Sequence, residues 1–352
     1  MASRAAAQKG TKTHPIPLFK RWQTVLNGCN IPQIEIADGV TRWLVIARAC
    51  VFSMSFTSGM LGLLIAAEQV QKLGGSVNWL LGILAVIGVV VAHASNNLLN
   101  DYFDVRHGVD TEDYPRAQYS VHPILGGLTT AKGLLVAAGI LNLIDLAIML
   151  YLFSQRGITI VLFAVAGLLL SLLYTSVLKR AGLGELTALV VWGPLMIGGT
   201  AFAASGLIND AIWTLTLPYG LIVASVLIGK HIDKITPDKK VGVNSVPVLL
   251  GQERSLKLNK VTFIIFYILI VAMVVLKYTG PWVLLTFLAI PRLRQTWKAY
   301  SEPKPAKAPA GWTVWPLWYV SWAMLFNRKA GEYFTLGLIL NLLTPWVLGL
   351  FS

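Results

Sequence analysis

Two groups of carboxylate and amide side chains could hold a metal ion together with a phosphate ester. The first group, Asn97, Asn100, Asp101 and Asp104, ends an apolar run and is followed by Asp110. Residues spaced by three, four and seven positions share one face of a helix, so this spacing aims two amides and two carboxylates at one place. Hard oxygen ligands suit Mg²⁺, which usually takes one or two carboxylates and the phosphates of a substrate.

The second group follows a later apolar run and contains Asp233 and Asp238. A mixed-charge loop is as easily a solvated surface as a site, but its matching position in the second half of the chain favours a site. If the two groups face each other, Mg²⁺ ions between them would neutralise a diphosphate leaving group. The allylic cation left behind survives only where water is excluded, as it is inside a helix bundle in lipid.

Basic side chains near these groups could donate charge-assisted hydrogen bonds to the oxygens of a diphosphate. A basic residue between apolar runs can equally be a topology signal, and for Lys179 and Arg180 that alternative stays open. The side chains that we predict to contact the diphosphate are Arg116, Lys179 and Lys230, together with the amides of Asn97 and Asn100.

The composition identifies the surroundings of these groups. Of 352 residues, 55% are hydrophobic and only 13% are charged, where a soluble domain carries about 25% charged residues. The net charge of +13 does not point to nucleic acid, because the Lys and Arg residues lie in short linkers between apolar runs. Two cysteines are too few for a disulfide framework, and no CxxC or HExxH motif is present. The polar start of the chain, Met1 to Lys20, lacks the apolar stretch of a cleavable signal peptide.

Nine apolar runs predict membrane helices, each of which needs about 20 mostly apolar residues. Lys and Arg are concentrated in alternate linkers, so the positive-inside rule places the N-terminus and both acidic loops in the cytoplasm. We predict a cytoplasmic segment over 1–42 and a nine-helix domain over 43–352, with a cytoplasmic or interfacial insertion over 292–331. The predicted spans are 43–67, 77–99, 133–154, 157–174, 185–205, 211–229, 260–277, 281–291 and 333–351.

The insertion has its own pattern. Its segment Ser301–Ala310 is rich in Pro and Lys and is typical of a flexible linker. After it, aromatic residues follow at helical spacing: Trp312, Trp315, Trp318, Tyr319 and Trp322. This pattern favours a helix lying on the membrane surface, since amphipathic rings prefer the headgroup region, over an aromatic box for a ligand.

These stretches together resemble the UbiA superfamily of intramembrane aromatic prenyltransferases, over residues 43–345. The run Asn100-Asp101-Tyr-Phe-Asp104, continued by Gly108-Val-Asp110, is similar to the first motif of that family. Asp233 and Asp238 occupy the second motif, at an interval of five where four is usual. Within the superfamily, the stretch from Tyr174 to Thr200 and the run Ser245-Val-Pro247-Val-Leu-Leu-Gly251 look most like the MenA branch, the 1,4-dihydroxy-2-naphthoate prenyltransferases. Arg48 lies where that branch has an Arg-Pro-Lys stretch, and the resemblance adds it to the predicted diphosphate contacts.

The resemblance implies an all-α, polytopic bundle of nine membrane helices around a cavity that opens to lipid. It implies Mg²⁺-dependent transfer of a prenyl group from a polyprenyl diphosphate to an aromatic acceptor, 1,4-dihydroxy-2-naphthoate being the first choice, in a prokaryotic plasma membrane. The acceptors 4-hydroxybenzoate, homogentisate and a glycerol phosphate lipid stay open. The residues implied as catalytic are Asp101, Asp104, Asp233 and Asp238, and those implied as metal ligands are these four with Asn97, Asn100 and Asp110.

Two questions stay open at this point. The proton acceptor of the reaction could be an aspartate of the metal site or the released diphosphate. A membrane transporter is the rival of a different class, and it predicts polar residues along a path through the bilayer. Here the acids cluster on one side, which favours the enzyme.

Overall fold

The chain folds as a bundle of helices in the computed structural model, which describes residues 14–349 without the side chains of 175, 176 and 345–349. Residues 1–13 of the predicted N-terminal segment, and the predicted final span beyond 349, lie outside the described residues. Over the described range every regular element is a helix, which confirms the all-α fold class. The main helices are α1 (Leu18–Gly28), α2 (Gly39–Ile46), α3 (Phe52–Lys72), α4 (Trp79–Arg106), α5 (Pro115–Tyr119), α6 (Ala131–Arg156), α7 (Ile158–Leu173), α8 (Gly184–Ser205), α9 (Asp210–Ile232), α10 (Ile235–Lys240), α11 (Val246–Leu250), α12 (Gln252–Val275), α13 (Ile290–Ala299) and α14 (Tyr319–Gly349).

Six of these helices are long and apolar enough to cross a membrane: α3 with the turn before it, α4, α6, α8, α9 and α12. Each overlaps a predicted span, with the largest differences at Ala49–Lys72, predicted as 43–67, and at α12, predicted as 260–277. Of the other three predictions, α7 is a shorter apolar helix, and 281–291 is a 3-10 helix, Pro281–Ala289, that continues into α13. The last predicted span, 333–351, overlaps the second half of α14, which begins at Tyr319. The predicted count of nine spans is therefore not confirmed.

Glycines let three helices at the centre of the bundle approach one another closely. A Cβ on Gly62 of α3 would overlap the carbonyl oxygen of Ile197 in α8. A Cβ on Gly220 of α9 would lie 2.8 Å from the carbonyl oxygen of Leu189. Between these contacts, α8 is π-helical over Val191–Gly198, around Pro194, where the sequence predicts a kink because proline removes a helical hydrogen bond.

We expect Gly62→Ala to lower the free energy of unfolding in detergent by about 1–3 kcal/mol, the usual cost of overpacking. The new methyl group would force α3 away from α8. Gly139→Ala in α6 is the matched control, because a Cβ there meets nothing within 4 Å. The melting temperatures of the two purified variants measure the difference. Equal melting temperatures would show that the helices separate without cost.

The N-terminal segment packs against one end of the bundle. Cys29, just after α1, forms a disulfide with Cys50, which precedes α3. The carbonyl oxygen of Cys29 accepts a hydrogen bond from Ser120 Oγ at 2.8 Å. Arg328 of α14 donates to the carbonyl oxygens of Leu26 at 3.0 Å and Cys50 at 2.6 Å. The first and last described helices are thus joined at the end of the bundle that carries the charged loops, which we call the polar end.

The core and the outer surface differ in the helices that supply them. The fully buried side chains include Leu61 and Ile65 of α3, Phe263 of α12, and Phe326 and Phe334 of α14. By contrast, α6 and α7 expose many large apolar side chains, as expected of helices that face lipid. The central helices therefore form a packed scaffold, and α6 and α7 lie at its edge.

Candidate active site

A cavity of about 740 Å³ opens at the polar end and extends into the apolar part of the bundle. Its deeper walls carry apolar side chains such as Met149, Phe163 and Leu168. Most of the predicted site residues lie at its rim. Those that line it are Arg48, Asn97, Asn100, Asp104, Asp110, Arg116, Lys179 and Lys230.

Asp101 lies behind this rim and is completely buried. Arg116 donates to it from Nε at 3.2 Å and from Nη2 at 3.0 Å, and Arg48 forms a second ion pair with it. Arg48 adopts a left-handed backbone conformation (φ 57°) at the start of the turn before α3. Asp101 thereby holds two guanidinium groups toward the cavity, where they can contact an anion.

Asp104 and Asp238 each combine a charged partner with an unpartnered oxygen. Asp104 Oδ2 lies 3.9 Å from Lys179 Nζ, and Asp238 Oδ1 lies 3.5 Å from Lys234 Nζ. Asp238 Oδ1 also accepts a 2.5 Å hydrogen bond from the hydroxyl group of Tyr114. Within the described part of the chain, Asp104 Oδ1 and Asp238 Oδ2 are buried without a hydrogen-bond partner. Such oxygens are costly unless something binds them.

The two acidic loops meet at this point. The Tyr114 bond joins the loop after α4 to α10, and Lys234 Nζ lies 4.4 Å above the Tyr114 ring. Burial alone would raise the pKa of the Asp238 carboxyl, but Lys234, His231 and the Tyr114 hydrogen bond outweigh burial and lower it. The pKa of Asp110 is lowered in the same way, against burial, by His122 and Arg48. Both carboxyl groups are therefore ionised at neutral pH.

The donor set fits Mg²⁺. The free oxygens of Asp104 and Asp238 are hard ligands facing the same basic cluster, and Asp110 adds a third carboxylate. A second grouping, Asp101, Asp110 and His122, places ligand atoms within 4.8 Å of one another. This second grouping is less suited to a cation, because the Asp101 carboxylate already pairs with the guanidinium groups of Arg48 and Arg116. In addition, His122 Nδ1 accepts backbone N–H bonds from Ile124 and Leu125, which leaves the proton on Nε2, 3.3 Å from Asp110.

Asp233 is not part of this cluster, in contrast to its sequence grouping with Asp238. Its buried carboxylate lies 3.2 Å from Lys304 Nζ and accepts the N–H groups of Trp318 at 2.9 Å and Val320 at 3.0 Å. It thus caps the N-terminus of α14 from another part of the chain. Burial raises its pKa to about 6 despite Lys304. The chain turns between α9 and α10, so Asp233 and Asp238 do not share a face.

Residues 304–318, which we call the strap, cross the polar end from Lys304 to α14. The interpretation of the tryptophans as one surface helix is wrong over 312–318, because this stretch consists of turns and α14 begins at Tyr319. Pro316 lacks the N–H group of a helical residue, and Asp233 binds the first N–H groups of α14 instead. Gly311, Trp312, Thr313, Val314 and Leu317 of the strap line the cavity.

Sequence reasoning missed three members of the site, Tyr114, His122 and Lys234. Lys234 had a detectable signal, because it lies four residues after Lys230 and four before Asp238, the spacing of neighbours on a helix. Tyr114 and His122 had none, since their roles depend on how the loop after α4 folds back onto α4 and α10. Between them these residues hold Asp238 and Asp110 in place.

Comparisons with known proteins identify the family of the chain. A profile of the UbiA prenyltransferase family matches residues 55–321. The chain is 24% identical over 287 residues to a 1,4-dihydroxy-2-naphthoate octaprenyltransferase of Bacillus subtilis, covering 78% of this chain and 86% of that protein. It is 26% identical over 254 residues to a digeranylgeranylglyceryl phosphate synthase of Natronomonas pharaonis, covering 70% of this chain and 84% of the other.

A solved structure has the same fold. A UbiA homologue from Archaeoglobus fulgidus, bound to GPP and Mg²⁺, superimposes with a TM-score of 0.57 at 14% identity, over 83% of this chain and 99% of that one. The family match covers most of the chain, and it includes the loops whose acids meet at the cavity rim. The chain is therefore an integral-membrane enzyme that belongs to the UbiA prenyltransferase family.

Proposed function

We propose that this protein transfers a prenyl group from a polyprenyl diphosphate to an aromatic acceptor, with 1,4-dihydroxy-2-naphthoate as the first choice, and that it requires Mg²⁺. The observation that carries the proposal is the rim of the cavity. There, Asp104 has an unpartnered carboxylate oxygen among basic side chains from four parts of the chain, and Asp238 has a second such oxygen behind the rim, beside Lys234. An apolar cavity with such a rim is complementary to a substrate that has a long apolar chain and a multiply charged diphosphate group.

The basic residues would bind the diphosphate before and after the C–O bond breaks. Arg48 and Arg116 are held in place by Asp101, and Lys179 and Lys230 reach the rim from the far side. Mg²⁺ bound by the carboxylates would stabilise the negative charge that develops on the leaving diphosphate. Fixed positive groups add to this stabilisation because they need no reorganisation when the charge appears.

The deeper cavity would hold the isoprenoid and protect the allylic cation. Its lining from α6 and α7 is mainly apolar and offers hydrocarbon surface to the chain, with Asn142, Asp145 and Ser171 as its polar members. The strap covers the polar end above it and limits the access of water. The electron pair of the broken bond leaves with the diphosphate, and the cation at C1 of the prenyl group is then attacked by an electron-rich carbon of the acceptor.

The choice of acceptor rests on resemblance. The stretch from Tyr174 to Thr200 looks like the naphthoate branch, and the Bacillus subtilis relative is named for that acceptor. The Natronomonas pharaonis relative is named for a glycerol phosphate lipid, so this acceptor is the alternative to test. We also propose that the polar end faces the cytoplasm, because the Lys- and Arg-rich linkers lie there.

The test is prenyl transfer by the purified protein in detergent. One labelled polyprenyl diphosphate is offered with 1,4-dihydroxy-2-naphthoate, 4-hydroxybenzoate, homogentisate and a glycerol phosphate lipid, and the products are identified by mass. We expect product from the naphthoate, loss of all turnover in EDTA, and recovery on addition of excess Mg²⁺. Transfer that persists in EDTA would contradict the metal assignment, and transfer to the glycerol lipid alone would contradict the acceptor.

A further inference from the structure

A histidine deeper in the cavity has no role in the site described so far. His93 precedes Asn97 by one turn on the same face of α4 and lines the cavity. It lies on the apolar side of the rim, where the reacting end of a prenyl group would be when its diphosphate is at Arg48 and Asp104. Only 5% of the residue is exposed, so it is shielded from bulk water.

The hydrogen bonds of His93 define which ring nitrogen carries the proton. Ser55 Oγ lies 2.9 Å from His93 Nδ1, and the same hydroxyl group donates to the carbonyl oxygen of Phe52 at 3.1 Å. A hydroxyl group has one hydrogen. Given to Phe52, that hydrogen leaves Nδ1–H as the donor to Ser55 and Nε2 with its lone pair, and this is the tautomer on which the proposal rests.

That lone pair is available. Nε2 has no hydrogen-bond partner in the part of the chain that the structure describes, and the Nδ1 edge of the ring points to α3. The Nε2 edge is therefore the part of His93 that meets the cavity. The Trp192 ring stands edge-on to it, with centroids 5.3 Å apart, and the Phe52 ring is 5.6 Å away. Trp192 lines the cavity beside His93, so an aromatic acceptor at this place would contact its ring.

The other bases near the reacting centre are engaged. Asp101 is neutralised by Arg48 and Arg116, and the free oxygens of Asp104 and Asp238 are the ones that fit Mg²⁺. His93 offers an unshared basic nitrogen just below the rim, whereas Asp145, which also lines the cavity, lies beside Gly88, more than one turn of α4 deeper. A general base has to be within reach of the proton that it removes, and geometry decides before basicity does.

We propose that His93 is a catalytic residue, the base that takes the proton of a ring hydroxyl group on the acceptor. This inference rests on the proposed function and identifies its proton acceptor. As the diphosphate leaves with the electron pair of the C–O bond, a ring π pair forms the new C–C bond. The O–H pair becomes a C=O bond, and the proton moves to Nε2. The ring then regains aromaticity by losing its ring proton or CO₂, and the oxygen takes a proton back.

The experiment compares wild type, His93→Ala and His93→Gln on acceptors whose hydroxyl pKa is lowered stepwise by fluorine substitution. For acceptors that are un-ionised at the assay pH we expect His93→Ala to lower kcat about 100-fold, a usual contribution of a general base. The ratio of wild-type to variant rates should shrink toward one as the acceptor becomes ionised. Added imidazole should restore part of the rate of His93→Ala. A residue that only shapes the cavity would show neither effect.

His107→Ala is the matched control, because His107 is an exposed histidine at the end of the same helix, stacked on Phe103. An undiminished rate in His93→Ala, or an equal loss for every acceptor without rescue, would overturn the proposal. If neither variant folds, a solvent isotope effect on wild-type single turnovers with un-ionised acceptors decides, and its absence would also overturn it. A wild-type protein that prenylates none of these acceptors would instead refute the proposed function, and this inference with it.

Discussion

Asp104→Asn and Asp238→Asn are each expected to lower kcat for prenyl transfer by about 10²–10³-fold, in the range found when one transition-state contact is removed. Each change keeps the size of the side chain and removes one negative charge from the proposed Mg²⁺ site. The KM for the prenyl diphosphate should change little, because Arg48, Arg116 and Lys230 remain in place. The Mg²⁺ concentration that gives half-maximal activity should rise in both variants.

Single-turnover rates at several Mg²⁺ concentrations measure both effects. Asp113→Asn is the control, since Asp113 is an exposed acid in the same loop as Asp110. It changes the net charge by the same amount away from the site. Wild-type rates and wild-type Mg²⁺ dependence in both variants would rule out the metal site as we place it.

Asp233→Ala is expected to act on stability and to leave the metal untouched. The substitution removes the acceptor of two N–H groups at the start of α14 and the carboxylate partner of Lys304, which keeps its bond to the carbonyl oxygen of Pro316. Breaking a buried pair usually costs about 3–5 kcal/mol. We therefore expect a lower melting temperature and strap residues that become accessible to protease, while the Mg²⁺ dependence of the remaining activity matches wild type.

Lys307→Met serves as the control within the strap, because Lys307 is exposed and forms none of these contacts. The double variant Asp233→Ala/Lys304→Met should be less destabilised than the sum of the single changes, as for any interacting pair. A stable Asp233→Ala protein with a raised Mg²⁺ requirement would restore Asp233 to the metal site, where its sequence motif puts it.

The contrast between the two acidic motifs shows which part of a site a sequence can predict. The first motif lies in one unbroken helix, so its period alone places Asn97, Asn100 and Asp104 on the cavity. Asp101, one step around the same helix, turns instead to Arg48 and Arg116. The second motif spans the turn between α9 and α10, where helical spacing no longer applies. The pattern of carboxylate and amide oxygens predicts which residues could bind a metal, but the turn between α9 and α10 determines which of these side chains lie close together.

The strap was beyond prediction for a different reason. Local sequence at Trp312–Trp322 favours a helix on the membrane surface, and tertiary contacts override that preference. Asp233, 71 residues before Lys304, binds the strap and starts α14 at Tyr319. The membrane helices were easier to predict, because a helix that crosses the bilayer is surrounded by lipid along its length and is therefore apolar throughout. Six predicted spans are present for that reason.

The bond between Arg328 and the carbonyl oxygen of Cys50 also has a consequence for biosynthesis. These residues are 278 positions apart, and a ribosome delivers the N-terminal helices first. Asp101 can pair with Arg48 and Arg116 as soon as α5 has emerged. Asp233, however, can bind Lys304 and Trp318 only after the strap has been synthesised. The carbonyl groups of Leu26 and Cys50 can accept their hydrogen bonds only after Arg328 of α14 has been synthesised. We therefore expect nascent chains that stop short of Arg328 to insert their helices into the bilayer before the contacts of α14 at the polar end have formed.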